Sequence, residues 1–108
     1  MSTPLSIPRI RAPRTAKPGE IVEIRTLMEH PMETGLRMEA GRTMPRDMLT
    51  RMIVRANGEI LLQAEFRNGT SANPYHVFFM KMDQTTDLEI VWLDESGRSA
   101  KAQARIAV

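Results

Sequence analysis

Apolar and polar side chains alternate along several short stretches of this chain, and Gly, Pro and Asn separate the stretches. The alternation is clearest near the C-terminus, where Ala100, Ala102, Ala104 and Ile106 occupy every second position. A period of two is typical of a β-strand with one buried face, whereas a helix repeats about every 3.6 residues. Because no long stretch has the helical period, the pattern predicts strands and no long helix.

Turn residues divide the chain into these strands. Asn57–Gly58 joins two alternating stretches and is the pair that a type I′ hairpin turn requires, since both positions need φ > 0. Asn68–Gly69 predicts a second turn, and Glu20 to Glu29 is expected to form a central strand. The predicted strands are 9–12, 20–29, 49–56, 59–66, 75–82, 87–92 and 100–106, with a small projecting hairpin between Gly35 and Pro45.

About seven short strands at roughly ten-residue spacing are typical of an all-β, immunoglobulin-like antiparallel β-sandwich. Trp92 is then expected to be a core residue. A chain of 108 residues is long enough for one such domain. Prolines punctuate the first eighteen residues, so we expect a flexible N-terminal arm at residues 1–8 and a single domain at residues 9–108.

Composition excludes several classes of partner. Fifteen basic and thirteen acidic residues give a net charge of +2, and they are too interspersed to form a nucleic-acid groove. Arg9, Arg11 and Arg14 are expected to be a solvated basic tail. No apolar run has the length of a membrane span or the form of a signal peptide. Taken alone, the sequence predicts a soluble cytoplasmic protein without a membrane partner.

The sequence offers few groups for catalysis. It contains no cysteine and two histidines, with no carboxylates at tight ligand spacing, so no metal cage is expected. Ser71 and Ser96 lie in turns without the sequence of a nucleophile elbow, and the glycines are isolated turn residues. We therefore predict no catalytic residue, no cofactor and no metal ligand.

One alternative is a Cu(I) module, because soft thioethers with an imidazole select Cu(I). Its ligands would come from Met28, His30, Met32, Met38 and Met44. However, methionine also occurs on faces predicted to be buried, and the aromatic content is only 5%. Methionine as a core filler is therefore the favoured interpretation of this cluster.

Two corners centred on proline are the strongest functional candidates. Pro31 interrupts a strand-like run, so the segment from His30 to Gly35 is expected to turn sharply at a sheet end. Pro74 marks a second corner in the segment Ser71 to Tyr75. The candidate docking residues are His30, Pro31, Met32, Glu33, Thr34, Gly35, Asn73, Pro74 and Tyr75.

These corners recur with other motifs in a fixed order. The further motifs are Arg9-Ile10-Arg11-Ala12-Pro13, Lys17-Pro18-Gly19-Glu20, Pro45-Arg46 and Trp92-x-Asp94-x-x-Gly97. The ordered set resembles the SoxZ family, the cysteine-free half of the SoxYZ carrier complex of thiosulfate oxidation. The resemblance covers most of the chain.

The resemblance implies an immunoglobulin-like fold and a subunit without its own catalytic residues. Its partner in a heterodimer would be a SoxY-type subunit, whose C-terminal arm has the cysteine that holds the sulfur intermediate. The chain would stabilise that partner and help dock it, through transient contacts, to the enzymes of sulfur oxidation. Family members reach the periplasm by co-export with a partner, so the resemblance implies a periplasmic location. The free edges of such a sandwich also leave a homodimer of the isolated chain open.

Overall fold

The computed structural model describes residues 5–67 and 70–108. These residues form nine strands and no helix, so no described helix is long and apolar enough to cross a membrane. The strands are β1 (Arg9–Arg11), β2 (Glu20–Leu27), β3 (Met38–Glu39), β4 (Arg42–Thr43), β5 (Leu49–Ala56), β6 (Glu59–Glu65), β7 (Tyr75–Met82), β8 (Thr86–Asp94) and β9 (Ser99–Ile106).

Seven of the strands form two antiparallel sheets. The three-stranded sheet has the order β1-β2-β7 and the four-stranded sheet has the order β6-β5-β8-β9. β3 and β4 pair only with each other, as the small hairpin predicted between Gly35 and Pro45. The all-β prediction is confirmed, and the described strands number nine because the hairpin adds two to the seven of the sheets.

The inward faces of the two sheets build one hydrophobic core. Val22 and Ile24 of β2 face Leu88, Ile90 and Trp92 of β8, as the alternation of the sequence predicts. Trp92 is completely buried, which confirms it as a core residue. Five of the nine methionines are buried as well, at positions 28, 32, 48, 52 and 82. Methionine therefore fills much of the volume that the scarce aromatic residues leave.

The sandwich is closed on one side and open on the other. On the closed side β1 contacts β9, and the Ala16 N–H donates to the Ala107 carbonyl at 2.8 Å. On the open side β6 and β7 are free edges of their sheets. The three-stranded sheet is one strand narrower than the other, so β6 overhangs the core.

Because β6 overhangs the core, apolar side chains of this strand are exposed. The alternation of the sequence sets Ile60 and Leu62 on the same face as Ala64, yet Ile60, Leu61 and Leu62 are all exposed. Ala64 is the only residue of β6 that is half-buried. A bulge in the pairing of β5 with β6 leaves Leu61 as an extra residue. We call Ile60, Leu61 and Leu62 the β6 edge.

The hairpin between β5 and β6 has the predicted turn. Asn57 has φ 49° and Gly58 has φ 84°, which is the left-handed pair of a type I′ turn. The Asn57 side chain also ties this turn to the start of β8, because its Oδ1 accepts a hydrogen bond from the Asp87 N–H at 2.9 Å.

Two predictions concern residues outside the described ranges. The Asn68–Gly69 turn lies wholly outside them, and residues 1–4 of the proposed arm do too. In the remainder of the arm, Leu5 packs against the core and Pro8 is buried. The boundary between arm and domain stays a prediction.

Candidate docking site

The two proline corners of the sequence lie side by side in the structure. β2 ends and β7 begins at the same place, where Leu27 pairs with Tyr75. The chain beyond Leu27 therefore meets the chain before Tyr75. The Asn73 N–H donates to the His30 carbonyl at 2.7 Å, and Asn73 Oδ1 accepts from the His30 N–H at 3.0 Å. The separate corners thus form one hydrogen-bonded unit.

His30 is an internal support of this unit. Its side chain is buried, and Nδ1 accepts a hydrogen bond from the Met32 N–H at 3.0 Å. Met32 has φ 51°, a left-handed conformation that a residue with a long side chain rarely adopts. The imidazole and the burial of the Met32 side chain hold that conformation in place.

Burial sets the charge state of His30. Loss of solvation lowers the pKa of its imidazole, while the nearby Asp47 carboxylate acts in the opposite direction. His30 Nε2 lies 3.2 Å from Asp47 Oδ1, which is close enough for an ionic contact but outside hydrogen-bond geometry. The lowered pKa therefore reflects desolvation, and the neutral form predominates near pH 7.

A polar network extends from His30 across the end of the sandwich. Arg98 Nη2 donates to Asp47 Oδ1 at 2.7 Å, and Arg98 Nε donates to Asp94 Oδ2. Asp94 Oδ1 also accepts the backbone N–H groups of Ser96 and Arg98. Burial alone would raise the pKa of Asp94, but these hydrogen bonds hold it below its usual range.

This network gives Asp94 and Gly97 of the sequence motif their structural roles. The Asp94 carboxylate accepts the backbone donors of the turn between β8 and β9, and Gly97 takes a φ of 90° there. The sequence motif pointed to this turn. It did not reveal Asp47 and Arg98, which are 51 residues apart in the chain and meet only in the fold.

The far end of the His30 corner is tied to the start of β5. Glu33 and Asp47 exchange two backbone hydrogen bonds, each of 2.8 Å. A Cβ on Gly35 would lie 3.2 Å from the Arg46 Cβ, so the absence of a side chain permits a close approach. Arg46 in turn contacts Glu95 and donates to the Thr34 carbonyl.

The nine candidate residues are divided between support and surface. His30, Met32 and Pro74 are buried, Glu33, Thr34 and Gly35 are intermediate, and Pro31, Asn73 and Tyr75 are exposed. The first group positions the unit, and only the last group has substantial area for a partner. Their role in docking stays a prediction.

Two exposed apolar surfaces were not anticipated. One is the β6 edge. The other, which we call the outer strip, consists of Tyr75, Val77 and Phe79 on the outward face of β7. Three consecutive apolar residues at the β6 edge show that both faces of that strand have apolar groups, but not whether either face is covered. In β7, Val77 to Met80 are likewise four consecutive apolar residues, and Phe78 and Met80 face inward while Val77 and Phe79 face outward.

The five Met and His side chains of the copper alternative are also divided between buried and more exposed positions. Met28 and Met32 belong to the core, whereas Met38 is exposed on β3. Binding through Met28 and Met32 would require both thioethers to leave the core. Within residues 5–67 and 70–108, no group of three or more His, Cys, Asp and Glu side chains could hold a metal ion.

Comparison with known structures identifies the architecture. The sulfur carrier protein SoxY from Chlorobium limicola f thiosulfatophilum superposes with a TM-score of 0.66 at 16% identity, covering 95% of this chain and 76% of that one. A superoxide reductase (neelaredoxin) from Ignicoccus hospitalis superposes with a TM-score of 0.75 at 18% identity, covering 96% and 81%. At such identities the similarity establishes a shared fold. No curated protein matches the chain in sequence.

The match to a protein-family model is more specific evidence than the similarity to these structures. The model described as sulphur oxidation protein SoxZ matches residues 10–105, which is nearly the whole chain. That range includes both corners and the Asp94 turn, and it omits only Arg9 and Ile106 from the strands of the two sheets. The chain therefore belongs to the SoxZ family of sulphur oxidation proteins.

Proposed function

We propose that this chain is the non-catalytic subunit of a heterodimeric sulfur-carrier complex in thiosulfate oxidation. Its partner would be a SoxY-type subunit, which has the cysteine that holds the sulfur intermediate. Family membership supports a role in sulfur oxidation, and the shared fold with SoxY supports pairing between two similar sandwiches. A chain without cysteine adds no thiol that would compete for the sulfur intermediate.

The observation that best supports a protein partner is the β6 edge. An edge strand offers unpaired backbone N–H and C=O groups, and most proteins protect such strands with charge, proline or a covering element. Here Ile60, Leu61 and Leu62 lie exposed in the middle of a seven-residue edge strand. A partner subunit would remove these side chains from water and satisfy the backbone groups.

The corner unit has a separate part in the proposal. Its exposed residues, Pro31, Asn73 and Tyr75, lie at the end of the sandwich and are held by the buried His30. We assign them to the transient docking of pathway enzymes. The rigid support would keep this surface the same in the free and docked states.

We further propose a periplasmic location, reached by export together with the partner. This part of the proposal rests on the family resemblance. Expression of the chain with and without its partner, followed by osmotic-shock fractionation, tests it. Appearance in the periplasmic fraction only with the partner supports co-export, and retention in the cytoplasm in both cases contradicts it.

The heterodimer is tested by charge substitution at the β6 edge. We expect the wild-type chain, co-expressed with the SoxY-type subunit, to elute as one complex that buries about 1,600 Å² or more. Replacing Leu61 and Leu62 together by lysine should abolish the complex, because the interface would then have to bury two ammonium groups without partners. Size-exclusion chromatography with light scattering measures the result.

Gln63→Lys is the matched control. It adds one positive charge to the same exposed strand, against two in the double variant, without removing an apolar side chain. The control should retain most of the complex. A double variant that binds as well as wild type would exclude the β6 edge as the interface, and failure of the wild-type pair to form any complex would overturn the proposed function.

A further inference from the structure

Three arginines and a tyrosine surround a cleft on the outward face of the three-stranded sheet. The cleft has a volume of about 290 Å³ and is lined by Arg9, Arg11, Arg25, Thr26, Leu27 and Tyr75. The strand register brings these side chains together. Arg9, Leu27 and Tyr75 form one row across β1, β2 and β7, and Arg11, Arg25 and Val77 form the next.

The positive charge of the cleft is only partly neutralised within the described chain. Arg11 lies directly opposite Arg25 across the antiparallel pair and forms no ion pair with any described residue. Like charges in that position destabilise a sheet. Arg9 makes an ionic contact of 3.7 Å with Glu29, beyond hydrogen-bond distance. Arg25 donates to both carboxylate oxygens of Glu23, at 3.0 and 3.4 Å, but Glu23 lies in an adjoining depression rather than in the cleft.

The donors of this cleft suit a carboxylate. A guanidinium presents a planar fork that matches two carboxylate oxygens, and the Tyr75 hydroxyl adds a donor beside Arg25. A carboxylate in the cleft would relieve the repulsion between Arg11 and Arg25. The cleft therefore has both the donors and the unbalanced charge of an anion site.

The surroundings of the cleft favour a peptide over a free ion. The Arg9 and Arg25 side chains are 74% and 50% exposed, so ion pairing alone would contribute little there. The outer strip begins at Tyr75 and continues from the cleft along β7. This apolar surface increases the binding affinity only of a ligand that has apolar groups beside its charge.

We propose that the cleft formed by Arg9, Arg11, Arg25 and Tyr75 binds the carboxylate side chain of an acidic, partly apolar segment of another protein, with the outer strip contacting the apolar neighbours of that carboxylate. The cleft lies on a different sheet from the β6 edge. The inference consequently stands apart from the proposed heterodimer interface, although the cleft shares Tyr75 with the surface assigned to transient docking.

The test is an NMR titration of the isotope-labelled full chain with a short blocked peptide that alternates glutamate with leucine. Its glutamine counterpart and sodium sulfate are titrated in parallel. We expect saturable shifts of the Leu27, Tyr75 and Val77 amides with the acidic peptide and affinity at least about tenfold weaker for the glutamine peptide. Equal binding of both peptides would overturn the proposal, and so would sulfate binding as tightly as the acidic peptide.

Substitutions of single arginines test whether the peptide binds at the cleft. Arg11→Gln and Arg25→Gln should each lower affinity for the acidic peptide by about threefold to fivefold, and Arg11→Lys should recover part of the loss. Arg51→Gln removes an exposed arginine from the other sheet and should leave binding unchanged. An equal loss in all three glutamine variants would show non-specific attraction and contradict the site.

The double lysine variant at the β6 edge separates this site from the heterodimer. It should bind the acidic peptide with wild-type affinity, because β6 lies on the other sheet. Loss of the partner with retention of the peptide would support both proposals. Loss of peptide binding in that variant would overturn the independence of the cleft.

Discussion

At the scale of single residues, burial separates the structural residues of the corner from the residues that a partner can contact. His30 stands in the most distinctive motif of the sequence, yet its imidazole is buried, neutral near pH 7 and used to hold the Met32 backbone. Tyr75, a less conspicuous residue, has its ring exposed beside Arg25. The buried residue determines the shape of the corner, and the exposed residue is available for recognition.

We expect the stability of the chain to fall as the pH decreases from about 6.5. Burial lowers the pKa of both His30 and His76 in the folded state. On acidification the unfolded chain therefore binds protons first, and the free energy of unfolding decreases until the pH passes the folded pKa values. The slope is at most about 1.4 kcal/mol per pH unit for each histidine. Urea denaturation across this range measures it.

The variant His30→Gln isolates one of the two contributions. An amide oxygen can still accept the Met32 N–H, but the side chain no longer titrates. The dependence of stability on pH should become shallower, whatever the absolute change in stability. An unchanged slope would mean that the imidazole is protonated equally in the folded and unfolded chain, which would contradict its desolvation.

At the scale of elements, the residues of the short turns specify which strands pair more clearly than the residues of the strands do. The type I′ turn at Asn57–Gly58 joins β5 to β6, and the Asp94 carboxylate organises the turn from β8 to β9. The hairpin of β3 and β4 has a similar left-handed pair at Ala40 and Gly41 but contributes no residue to the core. Equal turn geometry therefore has unequal consequences for stability.

Two glycine substitutions test that difference. Gly58→Ala places a Cβ at φ 84° with open space around it, so its cost is purely conformational, about 1 kcal/mol. Gly41→Ala makes the same change at φ 76°, also in open space. We expect only Gly58→Ala to lower the thermal midpoint, because the β3–β4 hairpin can open without disturbing the sheets.

Differential scanning calorimetry of both variants measures these midpoints. A shift of roughly 4–8 °C corresponds to 1 kcal/mol in a domain of this size. Equal shifts for Gly58→Ala and Gly41→Ala would show that the hairpin unfolds together with the sandwich.

At the scale of the whole molecule, the unequal width of the two sheets is the decisive feature. Contact between β1 and β9 closes one side, and the overhang of β6 leaves the other side without a cover. Of the eleven large apolar side chains that are exposed in the described part of the chain, six belong to the β6 edge and the outer strip, and these are the two groups of neighbouring apolar residues on exposed strand surfaces.

We expect the isolated chain to self-associate as its concentration rises. The β6 edge presents both backbone groups and apolar side chains to a second copy, and a net charge of +2 gives little repulsion. Sedimentation velocity over a concentration series measures the association. Lysine at positions 61 and 62 should keep the chain monomeric, and a wild-type chain that stays monomeric at every concentration would contradict the expectation.

Local pattern predicted most of the fold, and non-local geometry accounts for what it missed. Alternation located β5, β7 and β8 and their buried faces, and the Asn57–Gly58 pair identified its turn. The exposure of Ile60 and Leu62 depends on how many strands lie in the opposite sheet, which no window of sequence contains. The link from Asp47 to Arg98 likewise depends on the meeting of distant loops.

The overhang of β6 also has a consequence for how much of this protein a cell can tolerate. The hairpin of β5 and β6 is local in sequence, so it forms without the partner, and its uncovered edge exists from the moment the chain has folded. Each copy made in excess of the partner would keep that edge in solution. In the proposed heterodimer, matched synthesis of the two subunits would keep this uncovered edge out of solution.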